Sequence, residues 1–312
     1  MSDEAPPRSP EAVLGRIPGS VLDPEPKTKP TAVHRLEDRF AWIGVAWSSL
    51  ERFKASRSPL LAAGTAYYGF IAMFSLLALV YGVAALLSAD AVAEWLTETL
   101  QNALPGLVGE QGIDPDTLKR VGRTSSVVGL ALLAVSGAAV MGAASDSIHQ
   151  IYGAPPDGRN PLRRRLHLLM WLALLGPLVA ISYSLSTAFS GFGVEMLEEF
   201  GLRSPVTRAL TIALATALTF ALDVAIVALL LNRMGGIAPG VRAVLPGSIA
   251  AALVITLLKA LTAVIVSWSV DRPQYGSFAI PVTVLVVLWA QSMALYAGAS
   301  VTAANAQAAE ER

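Results

Sequence analysis

Residues 59–87, PLLAAGTAYYGFIAMFSLLALVYGVAALL, carry no ionisable side chain other than their tyrosines. A bilayer is crossed by a helix of roughly 20 apolar residues rising about 1.5 Å each, so this stretch spans it with some tilt. It is the first such segment, and nine Lys or Arg residues precede it, from Arg8 to Arg57. The positive-inside rule then sets its N-terminal end in the cytoplasm, and the topology downstream follows from that choice.

Five more apolar stretches follow, at 124–150, 166–189, 206–231, 243–270 and 278–304. The expected fold class is therefore all-α, a polytopic membrane protein with six transmembrane helices and both termini in the cytoplasm. Sixteen of the 23 Lys and Arg residues fall in segments placed inside, six in segments placed outside, and Lys259 lies within a span. The composition agrees: 54% of the 312 residues are hydrophobic and 15% charged, with a mean hydropathy of +0.56. A soluble domain usually carries about a quarter charged residues. With zero net charge, and basic residues sorted by membrane side, nothing points to nucleic acid as a partner. The absence of cysteine excludes disulfides, thiolate metal sites and cysteine nucleophiles. No cofactor is expected.

Residues 1–30 hold seven prolines among scattered charges and no apolar core of the signal-peptide kind, and are expected to be a disordered cytoplasmic tail. Within 31–57, Leu36, Phe40, Ile43, Trp47 and Leu50 recur at steps of four and three. That stripe predicts an amphipathic helix, either lying on the cytoplasmic membrane surface or packed on the inner ends of the spans. Residues 58–306 form the six-span membrane domain and 307–312 a second cytoplasmic tail. In the first outer connection, Asp114-Pro115-Asp116 reads as the cap of a short separate helix. The SGAAVMGAAS core of the second span, residues 136–145, permits close approach of a neighbouring helix. Tyr67 and Tyr68 lie too deep for an aromatic belt and are expected in the core.

The ionisable residues inside the spans are the candidates for function. Asp223 in the fourth span shares a helical face with Thr216 and Thr219, and burying it at that depth costs about 2.5–3.5 kcal/mol even on a lenient insertion scale. Lys259 in the fifth span, flanked by Thr256 and Thr262, is its evident partner. On straight helices Asp223 lies about 15 Å from the inner end and Lys259 about 25 Å, so direct pairing calls for help from the lysine stem or a bend near Pro246. Together these six residues form a candidate polar pathway; the alternative is a pair of charges locking two helices. At the inner end of the second span, Asp146 and His149 share a face with Gln150 beside them, a candidate cytoplasmic gate. One Asp with one His is too few ligands for a metal site, and none is expected. Gln291, Gly298, Thr302 and Asn305 form a stripe in the sixth span of the kind that glues helices together.

Four stretches resemble one family: SPLLAAGTAYYGFIAMFS (58–75), HQIYG (149–153) with its following arginines, LPGSIAAAL (245–253) and YGSFAIPVTVLVVLWAQSMALYAGASVTA (275–303). In order, and across residues 52–306, they are similar to the YihY/BrkB family. The resemblance implies a six-helix bacterial inner-membrane protein. Members have carried the labels ribonuclease BN and serum-resistance or virulence factor, and transport has been suggested for them. The chain departs from the family pattern at Ser75, where a proline is frequent, at His149, where an asparagine is frequent, and at Ser300, where an acidic residue is frequent.

A metal-dependent nuclease needs clustered carboxylates and histidines beside a basic groove. His34, His149 and His167 are far apart in sequence and the inner-loop acids are scattered, so nuclease chemistry is not expected. An intramembrane enzyme built on Ser145 and His149 would lack a third member. The expectation is a non-enzymatic membrane protein, a transporter or lipid-handling protein whose partners are membrane lipids and a small solute or lipid. The competing expectation is an envelope scaffold that transports nothing.

Overall fold

The computed structural model describes residues 41–86, 115–154, 160–190, 205–236, 238–270 and 279–310, with isolated positions at 91, 94, 97, 98 and 158. The expected tail at 1–30 and the outer connections at 99–114, 191–204 and 271–278 lie outside the described residues. Seven helices make up the described part: α1 (Ala41–Ala55), α2 (Ser58–Leu86), α3 (Pro115–Tyr152), α4 (Pro161–Ser190), α5 (Pro205–Arg233), α6 (Val241–Val270) and α7 (Ala279–Glu310).

Local chemistry sets the ends of these helices. Three of them open on proline, whose fixed φ suits a first turn where its missing N–H is not needed. Asn160 caps α4 by accepting a hydrogen bond from the Leu162 amide at 3.1 Å. At the far end of α3, Gly153 takes φ 68°, its amide bonds the Gln150 carbonyl, and the Ala154 amide bonds that of His149. This paired arrangement satisfies carbonyls the helix would otherwise leave bare, and the left-handed residue it needs is a glycine. Between α1 and α2, Arg57 adopts φ 52° while the Ser56 and Ser58 hydroxyls meet at 2.8 Å.

Consecutive helices pack as antiparallel neighbours, with α2 on α3, α3 on α4, α4 on α5, α5 on α6 and α6 on α7; α7 closes the bundle by packing on α2 and α3. Ile148, Ile151, Trp171, Leu175, Leu231 and Tyr296 form the middle of the core. The outer faces are also apolar, as with Leu210, Leu214 and Leu218 on α5 and Leu253 and Leu257 on α6. Such a surface suits lipid rather than water as the solvent.

Among the described residues five helices are long and apolar enough to cross a membrane, within α2, α4, α5, α6 and α7. They coincide with five of the six expected spans. The remaining one, 124–150, lies within α3, a 38-residue helix whose described side chains begin at residue 134. The short helix expected at Pro115 is not separate; it is the first turn of α3. The small-residue core does admit a neighbour closely, since a Cβ on Gly137 would lie 2.2 Å from the Leu172 side chain of α4.

The structure bears on two further expectations. The described part of the amphipathic helix, α1, packs on α7, and Arg52 donates to the Ile151 carbonyl at 3.1 Å. This packing on the bundle is one of the two placements the stripe allowed. Tyr67 and Tyr68 are 57% and 41% exposed and meet edge to face at 5.5 Å on the outer surface. Among the described residues Tyr81 and Tyr296 are the fully buried tyrosines instead.

Candidate functional site

The polar residues within the spans converge where α4, α5, α6 and α7 meet. Asp223 of α5 and Lys259 of α6 pair directly, Nζ to Oδ1 at 2.6 Å, with side chains 3% and 4% exposed. Counting depth along straight helices had set them about 10 Å apart, and side-chain direction removes the difference. Every Cα–Cβ bond leans toward its own helix N-terminus. In antiparallel α5 and α6 these leans are opposite, so Asp223 reaches toward the level of Lys259 while the long lysine stem reaches back.

Neighbouring helices complete the carboxylate's hydrogen bonds. Ser182 of α4 donates to Asp223 Oδ1 at 2.7 Å and accepts from Lys259 Nζ at 2.8 Å. Thr256, one turn before Lys259 on α6, donates to Oδ2 at 3.0 Å. The ammonium also lies 4.6 Å from the centroid of the Tyr183 ring, a cation–π contact. Gln291 of α7 donates its amide to the Tyr183 hydroxyl, fixing the ring in place. The stripe expected to be packing glue is thus divided: Gln291 serves the centre, while Gly298 and Thr302 face Gly247 across the α6–α7 contact.

Of the remaining pathway candidates, Thr219 is 2% exposed and lies one turn from Asp223 on the same face. Its hydroxyl has no hydrogen-bond partner among the described residues. Thr216 is exposed and donates back to the Ile212 carbonyl at 2.8 Å, outside the centre. The buried stripe on α5 runs in steps of four through Ala215, Thr219, Asp223, Val227 and Leu231. A stripe of fours drifts around the helix, and by one turn beyond Thr219 it has passed to Ala215. The Thr262 side chain lies outside the described residues.

The gate candidates do not form one cluster. Asp146 pairs with Arg164 of α4, a partly exposed bridge. His149 donates through Nδ1 to the Ser145 carbonyl at 2.9 Å, leaving Nε2 facing Gly236 of the α5–α6 connection. Gln150 donates to the Ser56 carbonyl at 3.4 Å, at the turn between α1 and α2. Asp146 and Gln150 therefore tie the end of α3 to α4 and to the α1–α2 turn, whereas His149 bonds within its own helix. The Ser145 hydroxyl donates to the Met234 carbonyl at 3.0 Å, so Ser145 and His149 do not make a nucleophile–base hydrogen bond in this arrangement.

Sequence reasoning missed Ser182 and Tyr183. The available signal was the polar run Ser182-Tyr183-Ser184 in the middle of an apolar span, which only the position of Asp223 singles out from ordinary helix packing.

Residues 49–312 match the family described as virulence factor BrkB. Comparison with curated proteins finds no match, nor does comparison with solved structures. The family match covers the whole helical bundle from the second half of α1 onward, including each residue of the lysine–aspartate centre. The chain, a membrane protein by its apolar helices, belongs to the BrkB family.

Proposed function

We propose that this protein is a non-enzymatic transporter or lipid-handling protein of the inner membrane, with both termini in the cytoplasm, and that the Asp223–Lys259 centre lies on its polar pathway. The observation that carries this reading is the composition of the centre: one ion pair served by side chains from four helices, α4, α5, α6 and α7. A buried ion pair is a poor means of gaining stability, because well-packed apolar residues of similar volume commonly do as well or better. Charges within a span face the bundle and mark ion or solute routes more often than they serve packing. Here they are held in a sealed state, as expected of a conformation in which the pathway is closed to both sides.

The second reading, a scaffold in which the pair locks the helices, draws on the same satisfied hydrogen bonds and low exposure. The natural chain has no cysteine, so single thiols at Thr216, Thr219, Thr256 and Thr262 separate the two. Membrane-impermeant thiol reagents are applied to intact cells and to inverted vesicles. A pathway predicts labelling at Thr219 and Thr256 whose sidedness changes with pH or solute. Silence at both sites from both sides, with a control cysteine at Glu110 labelling, overturns transport and leaves the scaffold.

A further inference from the structure

Resting on the pathway reading, we propose that the centre around Asp223 is a seat for a primary ammonium ion, which the tethered ammonium of Lys259 fills in this conformation. A primary ammonium offers N–H donors and a compact positive charge. The seat offers matching groups: Asp223 Oδ1 at 2.6 Å, the Ser182 hydroxyl at 2.8 Å, and the face of Tyr183 at 4.6 Å.

Each of these groups is itself held. Ser182 donates its hydroxyl hydrogen bond to Asp223, Thr256 donates to the second carboxylate oxygen, and Gln291 anchors the Tyr183 hydroxyl. A pair that only locked two helices would need a carboxylate and an ammonium; an oriented aromatic face adds recognition of a cation. The buried Thr219 hydroxyl, one turn from Asp223 and without a partner among the described residues, is a further oxygen within the same helical face.

The seat is built from α4, α5 and α7 together with Thr256, whereas its occupant hangs on a flexible stem from α6. A free ammonium ion entering as Lys259 withdraws exchanges one positive charge for another. The carboxylate is then never left buried and unpaired, the state that would cost most. The ligand class is accordingly ammonium and small primary alkylammonium ions. Tetra-alkylated ions carry no N–H for Asp223 and Ser182 to accept.

The test uses the purified full-length chain in detergent with Lys259→Ala, which vacates the seat. Thermal unfolding is followed in ammonium, methylammonium, tetramethylammonium and sodium chlorides at equal ionic strength. The expected result is a saturable rise of the variant's midpoint with ammonium and methylammonium but not with the other two, and no such rise for wild type or for D223N/K259A. An equal response to all four salts, or none, overturns the proposal. So does failure of Lys259→Ala to fold even in ammonium while D223N/K259A folds. Should neither variant fold, the single Thr219→Cys chain, which keeps the pair, decides: labelling must rise with methylammonium and not with sodium, and no difference overturns the seat. Ammonium-selective stabilisation together with silent thiols at Thr219 and Thr256 would retain the seat and reject the pathway; labelling without cation selectivity would do the reverse.

Discussion

Gly247 of α6 and Gly298 of α7 meet backbone to backbone. A Cβ on Gly247 would lie 2.3 Å from the Gly298 carbonyl oxygen, and one on Gly298 would lie 2.6 Å from that of Gly247. Neither obstacle is a side chain that can rotate away, so a methyl at either position forces the two helices apart. Over-packing of this kind typically costs about 1–3 kcal/mol. Gly247→Ala and Gly298→Ala are each expected to lower stability by that amount in a detergent unfolding assay. One separation of the helices accommodates both methyls, so the double variant is expected to lose less than the sum.

Three further glycines separate space from backbone strain. Gly240 has φ 81° with nothing within 4 Å of a Cβ, and Gly236 has φ 73° with His149 Nε2 at 2.2 Å. A left-handed residue with a side chain costs about 1–2 kcal/mol, which is the expectation for Gly240→Ala. Gly236→Ala adds a displaced imidazole to the same strain and is expected to cost more. Gly64, inside α2 with open space around it, carries neither penalty. Gly64→Ala is expected to stabilise by about 0.5–1 kcal/mol through helix propensity. The order of the three unfolding midpoints is the readout.

The apolar spans were legible because length and hydropathy act along the chain, and Asp223 and Lys259 stood out because charges at that depth are costly. What could not be read was direction around and along each helix. The pairing of Asp223 with Lys259 depends on opposite side-chain leans in α5 and α6, which counting residues from the helix ends ignores. Thr216 was grouped with Asp223 by a seven-residue spacing, yet the buried stripe drifts in fours and leaves it exposed. Ser182 and Tyr183 gained significance only from which helix α4 faces. Likewise, one stripe in α7 contains both a site residue, Gln291, and packing residues, Gly298 and Thr302.

The Asp146–Arg164 bridge tests how much the end of α3 depends on charge. Its side chains are 62% and 32% exposed, so solvent screens the pair. Exposed ion pairs contribute about 0–1 kcal/mol, and added salt weakens them further. Asp146→Asn is expected to shift stability by less than about 1 kcal/mol, with the difference from wild type shrinking as ionic strength rises. A larger loss that persists in high salt would assign Asp146 a role beyond this bridge.

The lysine–aspartate centre should behave in the opposite way, because neither charge can turn to water. Removing one partner of a buried pair leaves the other uncompensated, a loss of about 3–5 kcal/mol. Asp223→Asn strands the Lys259 ammonium and replaces one of the two carboxylate oxygens that Ser182 and Thr256 donate to by an amide NH2, which donates instead. Lys259→Met strands the Asp223 carboxylate, which keeps both hydroxyl donors, so it is expected to be the milder of the two. The double variant removes both charges at nearly constant volume and is expected to recover most of the stability lost by either single change. A double-mutant cycle on unfolding free energies measures this as a strong favourable coupling. Near-additive losses would instead mean that water reaches the pair in the folded state and screens each charge separately.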